Sequence, residues 1–134
     1  MGRILIVEDE ANIAQVLEEV LSDEGYDVVA LADGQEALDW LQQEKSLPDL
    51  VLVDLFMPRV NGKEIVTYMR SRESLATVPI LLVTGAVPSA HDFPPFGSYQ
   101  GIIGKPFDIA DILEKVAYFL PQPPPRRNSF SRTW

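Results

Sequence analysis

Short continuous apolar runs alternate along this chain with stretches whose apolar residues recur every three to four positions. The runs are Ile4–Val7, Leu50–Val53, Ile80–Val83 and the brief Ile102–Ile103, and Tyr26–Leu31, broken only by Asp27, reads as a further strand. Each predicts a strand, and the unbroken Leu50–Val53 predicts one covered on both faces. Between them, Asn12–Leu21 carries Ile13, Val16, Leu17, Val20 and Leu21 at helical spacing, and Gly25 suits the stop that follows. Asp33, with Glu36 three residues on, predicts a capped second helix whose inner face is Ala37, Leu38 and Leu41. Met57-Pro58 and Asn61-Gly62 punctuate a loop. Lys63–Arg72 then predicts a third helix with Ile65, Val66 and Met69 inward. Asp108 caps a last helix bearing Ile109, Ile112, Leu113, Val116 and Leu120 on one side, and Pro121 ends it.

Strands alternating with helices predict an α/β fold: a doubly wound parallel sheet with right-handed crossovers and helices on both faces. One link breaks the pattern. Ala86–Gly101 contains Pro88, Pro94, Pro95 and Gly97, so the helix after the fourth strand is expected to be shortened or irregular. Beyond residue 120, Pro123-Pro124-Pro125 and Arg126-Arg127 read as an extended Pro-rich tail or a truncated linker (121–134), leaving 1–120 as one domain.

Composition narrows the function classes. The chain has 134 residues, enough for one substantial core, and no apolar run approaches the length of a membrane span or a signal-peptide core. With no cysteine, disulfides and thiolate metal sites are excluded, and a cytoplasmic location is the expectation. Net charge is −9, and residues 1–120 set eight basic against 20 acidic side chains, a net −12. Such a surface opposes nucleic-acid binding by this domain.

The candidate chemistry sits at strand ends. Glu8-Asp9 closes the first run, Asp54 the third, Thr84 the fourth, and Lys105-Pro106 follows the fifth. In a parallel sheet these ends share one edge. Three carboxylates, one ammonium and one hydroxyl gathered there suit a divalent cation such as Mg²⁺ and a phosphoryl group. Asp9 and Asp54 can offer direct oxygens, and Glu8 can reach the metal or hold one of its waters. Mutual repulsion of the three would be costly without a cation. Asp54 can act as nucleophile on phosphorus, Lys105 can neutralise the transferred oxygens, and Thr84 can donate to one of them.

Taken singly, each residue has an ordinary alternative. Glu8-Asp9 suits a helix N-terminus, Asp54 a turn or cap, Thr84 a strand end and Lys105 a solvated surface. His91, without a second His or a Cys, reads as surface. Trp40, Tyr68 and Tyr118 read as helix packing.

In order, these motifs resemble the receiver domain of two-component response regulators. The resemblance runs from Arg3 to Leu120 through Glu8-Asp9, Asp54-Leu55-Phe56-Met57-Pro58, Asn61-Gly62, Thr84-Gly85 and Lys105-Pro106-Phe107. It implies a flavodoxin-like five-stranded sheet of order 2-1-3-4-5, like that of the chemotaxis regulator. It further implies phosphorylation of Asp54 by a sensor histidine kinase or phosphotransfer protein. Mg²⁺ would be held by Glu8, Asp9, Asp54 and the backbone carbonyl of Phe56. Thr84, Gly85 and Lys105 would surround the phosphoryl group, and Lys105-Pro106 would be cis. A downstream effector and a homodimer are further expectations, and no membrane partner is expected.

The chain also departs from the family. Ile102 stands where most receivers carry a switching aromatic residue, so Phe93, Phe96 or Tyr99 in the Pro-rich link is expected to take that role. Phe56 and Ala86, two residues after Asp54 and Thr84, cannot orient a water, which predicts slow self-dephosphorylation. The expected function is a phosphoacceptor signalling module with no enzymatic turnover beyond its own aspartyl phosphate. The alternative is a phosphorylation-independent, receiver-like binding scaffold. A phosphohydrolase is disfavoured because Phe56 occupies the place of the second Asp such enzymes use.

Overall fold

The computed structural model describes residues 2–43, 47–85 and 90–120. Chain order is β1 (Arg3–Val7), α1 (Ala11–Asp23), β2 (Asp27–Leu31), α2 (Gly34–Leu41), β3 (Leu50–Asp54), α3 (Gly62–Ser71), β4 (Ile80–Thr84), β5 (Gly101–Gly104) and α4 (Ile109–Phe119). All strand pairs are parallel, in the order β2-β1-β3-β4-β5. The doubly wound sheet and its strand order therefore match the expected fold. Register brings the chemistry to one edge: Val7 pairs with Val53, Asp54 with Val83, and Thr84 with Gly104.

The apolar runs work because the sheet is covered twice. Every residue of β3 and β4 is buried. On one face Leu5, Val7, Val51, Val53, Ile80 and Leu82 meet Ala37 and Leu41 of α2 and Ile65, Val66 and Met69 of α3. On the other, Ile4, Ile6, Leu50, Leu52, Leu81 and Val83 meet Leu17 and Leu21 of α1 and Ile112 and Val116 of α4. Each Val, Leu, Ile or Met among them taken from water contributes about 1.5–3 kcal/mol before entropy is counted.

Caps fix where the helices begin. Asp33 accepts the Glu36 N–H and Asp108 that of Ala110, while Asn61 and Glu64 form a reciprocal capping box at α3. Gly25 ends α1 at φ +99°, a conformation that favours glycine.

Between β4 and β5, the described residues form only one 3₁₀ turn, Ala90–Asp92, in keeping with the proline content. Phe93 and Tyr99 stack there with centroids 6.0 Å apart and pack against the α2–α3 side of the core. Their rings cover sheet that a helix would otherwise cover. Ala86 and the 121–134 segment lie outside the described residues.

Three helical positions correct the expected inner faces. Val16 and Ile109 are 40% and 36% exposed, and Tyr118 is 78% exposed, touching Phe119 edge to face. Each sits at the border of its helix's apolar stripe, past the reach of the sheet. Trp40 and Tyr68 pack against the core as expected, and His91 is exposed. Among the described residues, no helix is long and apolar enough to cross a membrane.

Candidate functional site

Apart from the Tyr26 hydroxyl, the buried polar or charged side chains among the described residues are those of Glu8, Asp54 and Thr84, and all three stand at C-terminal strand ends. Such burial is costly unless partners compensate it. Lys105 is the main partner. Its Nζ donates to Glu8 Oε2 at 3.1 Å and to Asp54 Oδ2 at 3.1 Å. The Phe56 N–H donates to Asp54 Oδ1 at 3.1 Å, turning the carboxylate of Asp54 toward the loop.

Neighbouring backbone makes room for this arrangement. A Cβ at Gly85 would lie 3.2 Å from Cβ of Lys105, so glycine lets the lysine stem pass. A Cβ at Gly62 would lie 2.6 Å from the Asp54 carbonyl oxygen, so glycine lets the start of α3 rest directly on the Asp54 backbone. Lys105 N–H donates to the Thr84 carbonyl at 2.9 Å, tying the two strand ends together. The Lys105-Pro106 bond is cis, as expected.

One carboxylate oxygen is left over. Glu8 Oε1 is buried and lies 3.0 Å from Lys105 Nζ, yet it accepts no hydrogen bond from the described residues. An ion-pair distance without hydrogen-bond alignment leaves that oxygen short of a partner. Carboxylate oxygens of Glu8, Asp9 and Asp54 all lie within 4.8 Å of one another, with Asp9 exposed. A hard divalent cation such as Mg²⁺ fits this all-oxygen donor set, and the orphaned oxygen is the place it would satisfy.

Electrostatics support the same reading. Burial pushes the Glu8 carboxyl up from 4.5 to about 7, with the negative Asp54 adding to the shift, while the Glu10 N–H and Lys105 oppose it. Burial alone would lower the Lys105 ammonium, but hydrogen bonds to Glu8 and Asp54 outweigh it and push its pKa up. Lys105 therefore remains a cation at any physiological pH.

The expected residues thus converge: Glu8, Asp9, Asp54, Thr84 and Lys105 meet at one edge, flanked by Phe56 and Gly85. Ile102 does not join them. It lies on β5 opposite Leu82 and is 43% exposed. Sequence reasoning missed Glu10, whose Oε1 lies 3.2 Å from Lys105 Nζ. The unbroken run Glu8-Asp9-Glu10 was the available signal.

Comparison with known proteins agrees with this geometry. The family model for the response regulator receiver domain matches residues 4–117. Response regulator ArlR of Staphylococcus aureus is 38% identical over 129 residues, covering 92% of this chain and 55% of its own length. The chain thus spans about half the length of the curated relatives it matches. Chemotaxis protein CheY4 of Vibrio cholerae is 30% identical with a TM-score of 0.80, covering 90% of this chain and 99% of that one. The receiver domain of sensor histidine kinase PA1611 from Pseudomonas aeruginosa, solved with magnesium in its active-site cleft, is 27% identical. Its TM-score is 0.77, with 88% of this chain and 96% of that one covered. By family match, fold and the order of its strand-end motifs, the chain belongs to the response regulator receiver domains.

Proposed function

We propose that Asp54 accepts a phosphoryl group from a phosphohistidine on a sensor histidine kinase or phosphotransfer protein. An Asp54 carboxylate oxygen bonds to phosphorus, the P–N bond breaks, and its electron pair stays on the imidazole. The product is a mixed anhydride at Asp54. Mg²⁺, held by Glu8, Asp9, Asp54 and the Phe56 carbonyl, would supply charge neutralisation for the transferred oxygens. The magnesium in the Pseudomonas receiver supports that assignment. Lys105 places its ammonium beside the same oxygens, and Thr84 offers a hydroxyl at the adjoining strand end. The chain turns over no external substrate, and its only chemistry is on itself.

The observation that carries this reading is the buried Asp54 carboxylate, 4% exposed, held by Lys105 beside an under-satisfied Glu8 oxygen. Output is a change in affinity for a downstream partner through two conformations of the phosphoacceptor edge. The connection carrying Phe93 and Tyr99 adjoins that edge and takes part in the change. Acetyl phosphate with Mg²⁺ is expected to add one phosphoryl group by intact mass, and Asp54→Ala to abolish the gain. Labelling that persists in Asp54→Ala, or none in the native chain, rejects the reading.

A further inference from the structure

Lys105 has three ammonium hydrogens and three carboxylate neighbours. Nζ donates to Glu8 Oε2, Asp54 Oδ2 and Glu10 Oε1 at 3.1, 3.1 and 3.2 Å. Their surroundings differ sharply. The side chains of Glu8 and Asp54 are 2% and 6% exposed, whereas that of Glu10 is 58% exposed. The two buried carboxylates have no solvent to turn to if the ammonium leaves them. Glu10 can exchange it for water at little cost.

The local backbone allows that exchange. Glu10 occupies the N-cap position of α1, but its side chain makes no capping hydrogen bond and has no competing role in the helix. Its backbone is held independently: the N–H donates to Glu8 Oε2 at 3.1 Å, and the carbonyl accepts from Ile13 and Ala14. The side chain is therefore a movable arm on a fixed mount.

Resting on the phosphoacceptor reading above, we infer that Glu10 is a positioning residue for phosphoryl transfer. Its carboxylate holds the third Lys105 hydrogen in the resting protein and must release it before that hydrogen can bind a phosphoryl oxygen on Asp54. Glu10 thereby slows phosphorylation while keeping Lys105 aimed at the site. No bond to Glu10 forms or breaks, and it acts only through Lys105.

Two variants separate this role from alternatives. Glu10→Gln keeps length and a hydrogen-bond acceptor but removes the charge, so the ammonium is released more readily. Glu10→Asp keeps the charge but draws it back from Nζ. Labelling by acetyl phosphate with Mg²⁺, followed by intact mass, is expected to run about two- to fivefold faster in both variants than in the native chain. For Glu10→Gln the gap should narrow as ionic strength rises, because screening weakens the native contact. A capping or packing role would not produce that salt dependence. Rates equal to or below the native rate overturn the inference. So does a gain in Glu10→Gln alone, which would assign the effect to the general negative field. Absence of labelling in all three proteins rejects the phosphoacceptor reading itself and the inference with it; native labelling with unaltered variants rejects the inference alone.

Discussion

Arg70 and Gln100 meet at 3.1 Å, guanidinium Nη2 to amide Oε1, and so join α3 to the last residue before β5. Gln100 Oε1 also accepts the Ile80 N–H at 2.8 Å, and Gln100 N–H donates to the Ile80 carbonyl at 2.8 Å. The same guanidinium reaches the carbonyls of Ser98 at 2.8 Å, Leu75 at 3.1 Å and Ala76 at 3.2 Å. Lys63 Nζ holds the other end of the connection through the His91 carbonyl at 2.8 Å. Two cations of α3 thus fasten a segment that lacks the hydrogen bonds of a full helix. Phe93 and Tyr99 supply its apolar underside.

Arg70→Ala is expected to destabilise the fold by about 2–3 kcal/mol, since several carbonyls lose a charged donor at once. Arg70→Lys should recover little, because one ammonium cannot span the planar fork's four acceptors. Urea unfolding checks this: the midpoint falls with an unchanged m-value. A midpoint shift below the error of the fit would show that the clamp contributes nothing.

The clamp also marks how far the sequence was legible. β3 and β4 were readable because both faces of the sheet are covered and no polar residue interrupts the runs. Glu8, Asp9, Asp54, Thr84 and Lys105 were readable because parallel topology sends strand ends to one edge. Arg70, Lys63 and Glu10 were not. Long side chains reaching backbone carbonyls or a neighbour's ammonium leave no periodic trace. Val16, Ile109 and Tyr118 were misplaced for a different reason: spacing shows where an apolar stripe is centred, while the width of the covering layer decides where it ends.

Gly62 gives a direct link between packing and chemistry. A methyl group there would sit 2.6 Å from the Asp54 carbonyl oxygen and 2.9 Å from Leu55 Cα. Gly62→Ala must push the start of α3 away from the Asp54 backbone, an overpacking cost of about 1–3 kcal/mol. Phosphorylation by acetyl phosphate should slow with it, because the Asp54 carboxylate loses its position. Native stability and native labelling rate in this variant would contradict the close contact.

Phe56 bears on lifetime. Its N–H donates to Asp54 Oδ1, while its side chain is 39% exposed and has no polar atom to orient a water. Phe56→Asn places an amide beside the phosphoryl group and is expected to shorten the half-life of phospho-Asp54 several-fold. Following the loss of the phosphorylated mass with time, after donor removal, measures it. An unchanged half-life would mean that water is excluded by something other than this side chain.

The Glu8 carboxyl makes stability depend on pH in a stated direction. Burial raises it from 4.5 to about 7, so the folded metal-free protein holds this proton more tightly than the unfolded chain does. Stability from that proton is fully present below 4.5 and is lost as pH rises through about 7. In EDTA, the unfolding midpoint of the native chain should therefore fall across this window relative to Glu8→Gln, whose amide carries no titrating proton. A cation at the orphaned Glu8 oxygen takes the proton's place. Added Mg²⁺ should raise the midpoint of the native chain most at the alkaline end, where no proton competes, and should do far less for Glu8→Gln. Calorimetry at neutral pH in buffers of different ionisation enthalpy should record proton release as the ion binds. Parallel pH curves for the two proteins in EDTA would mean that the Glu8 proton is held no more tightly in the fold than outside it.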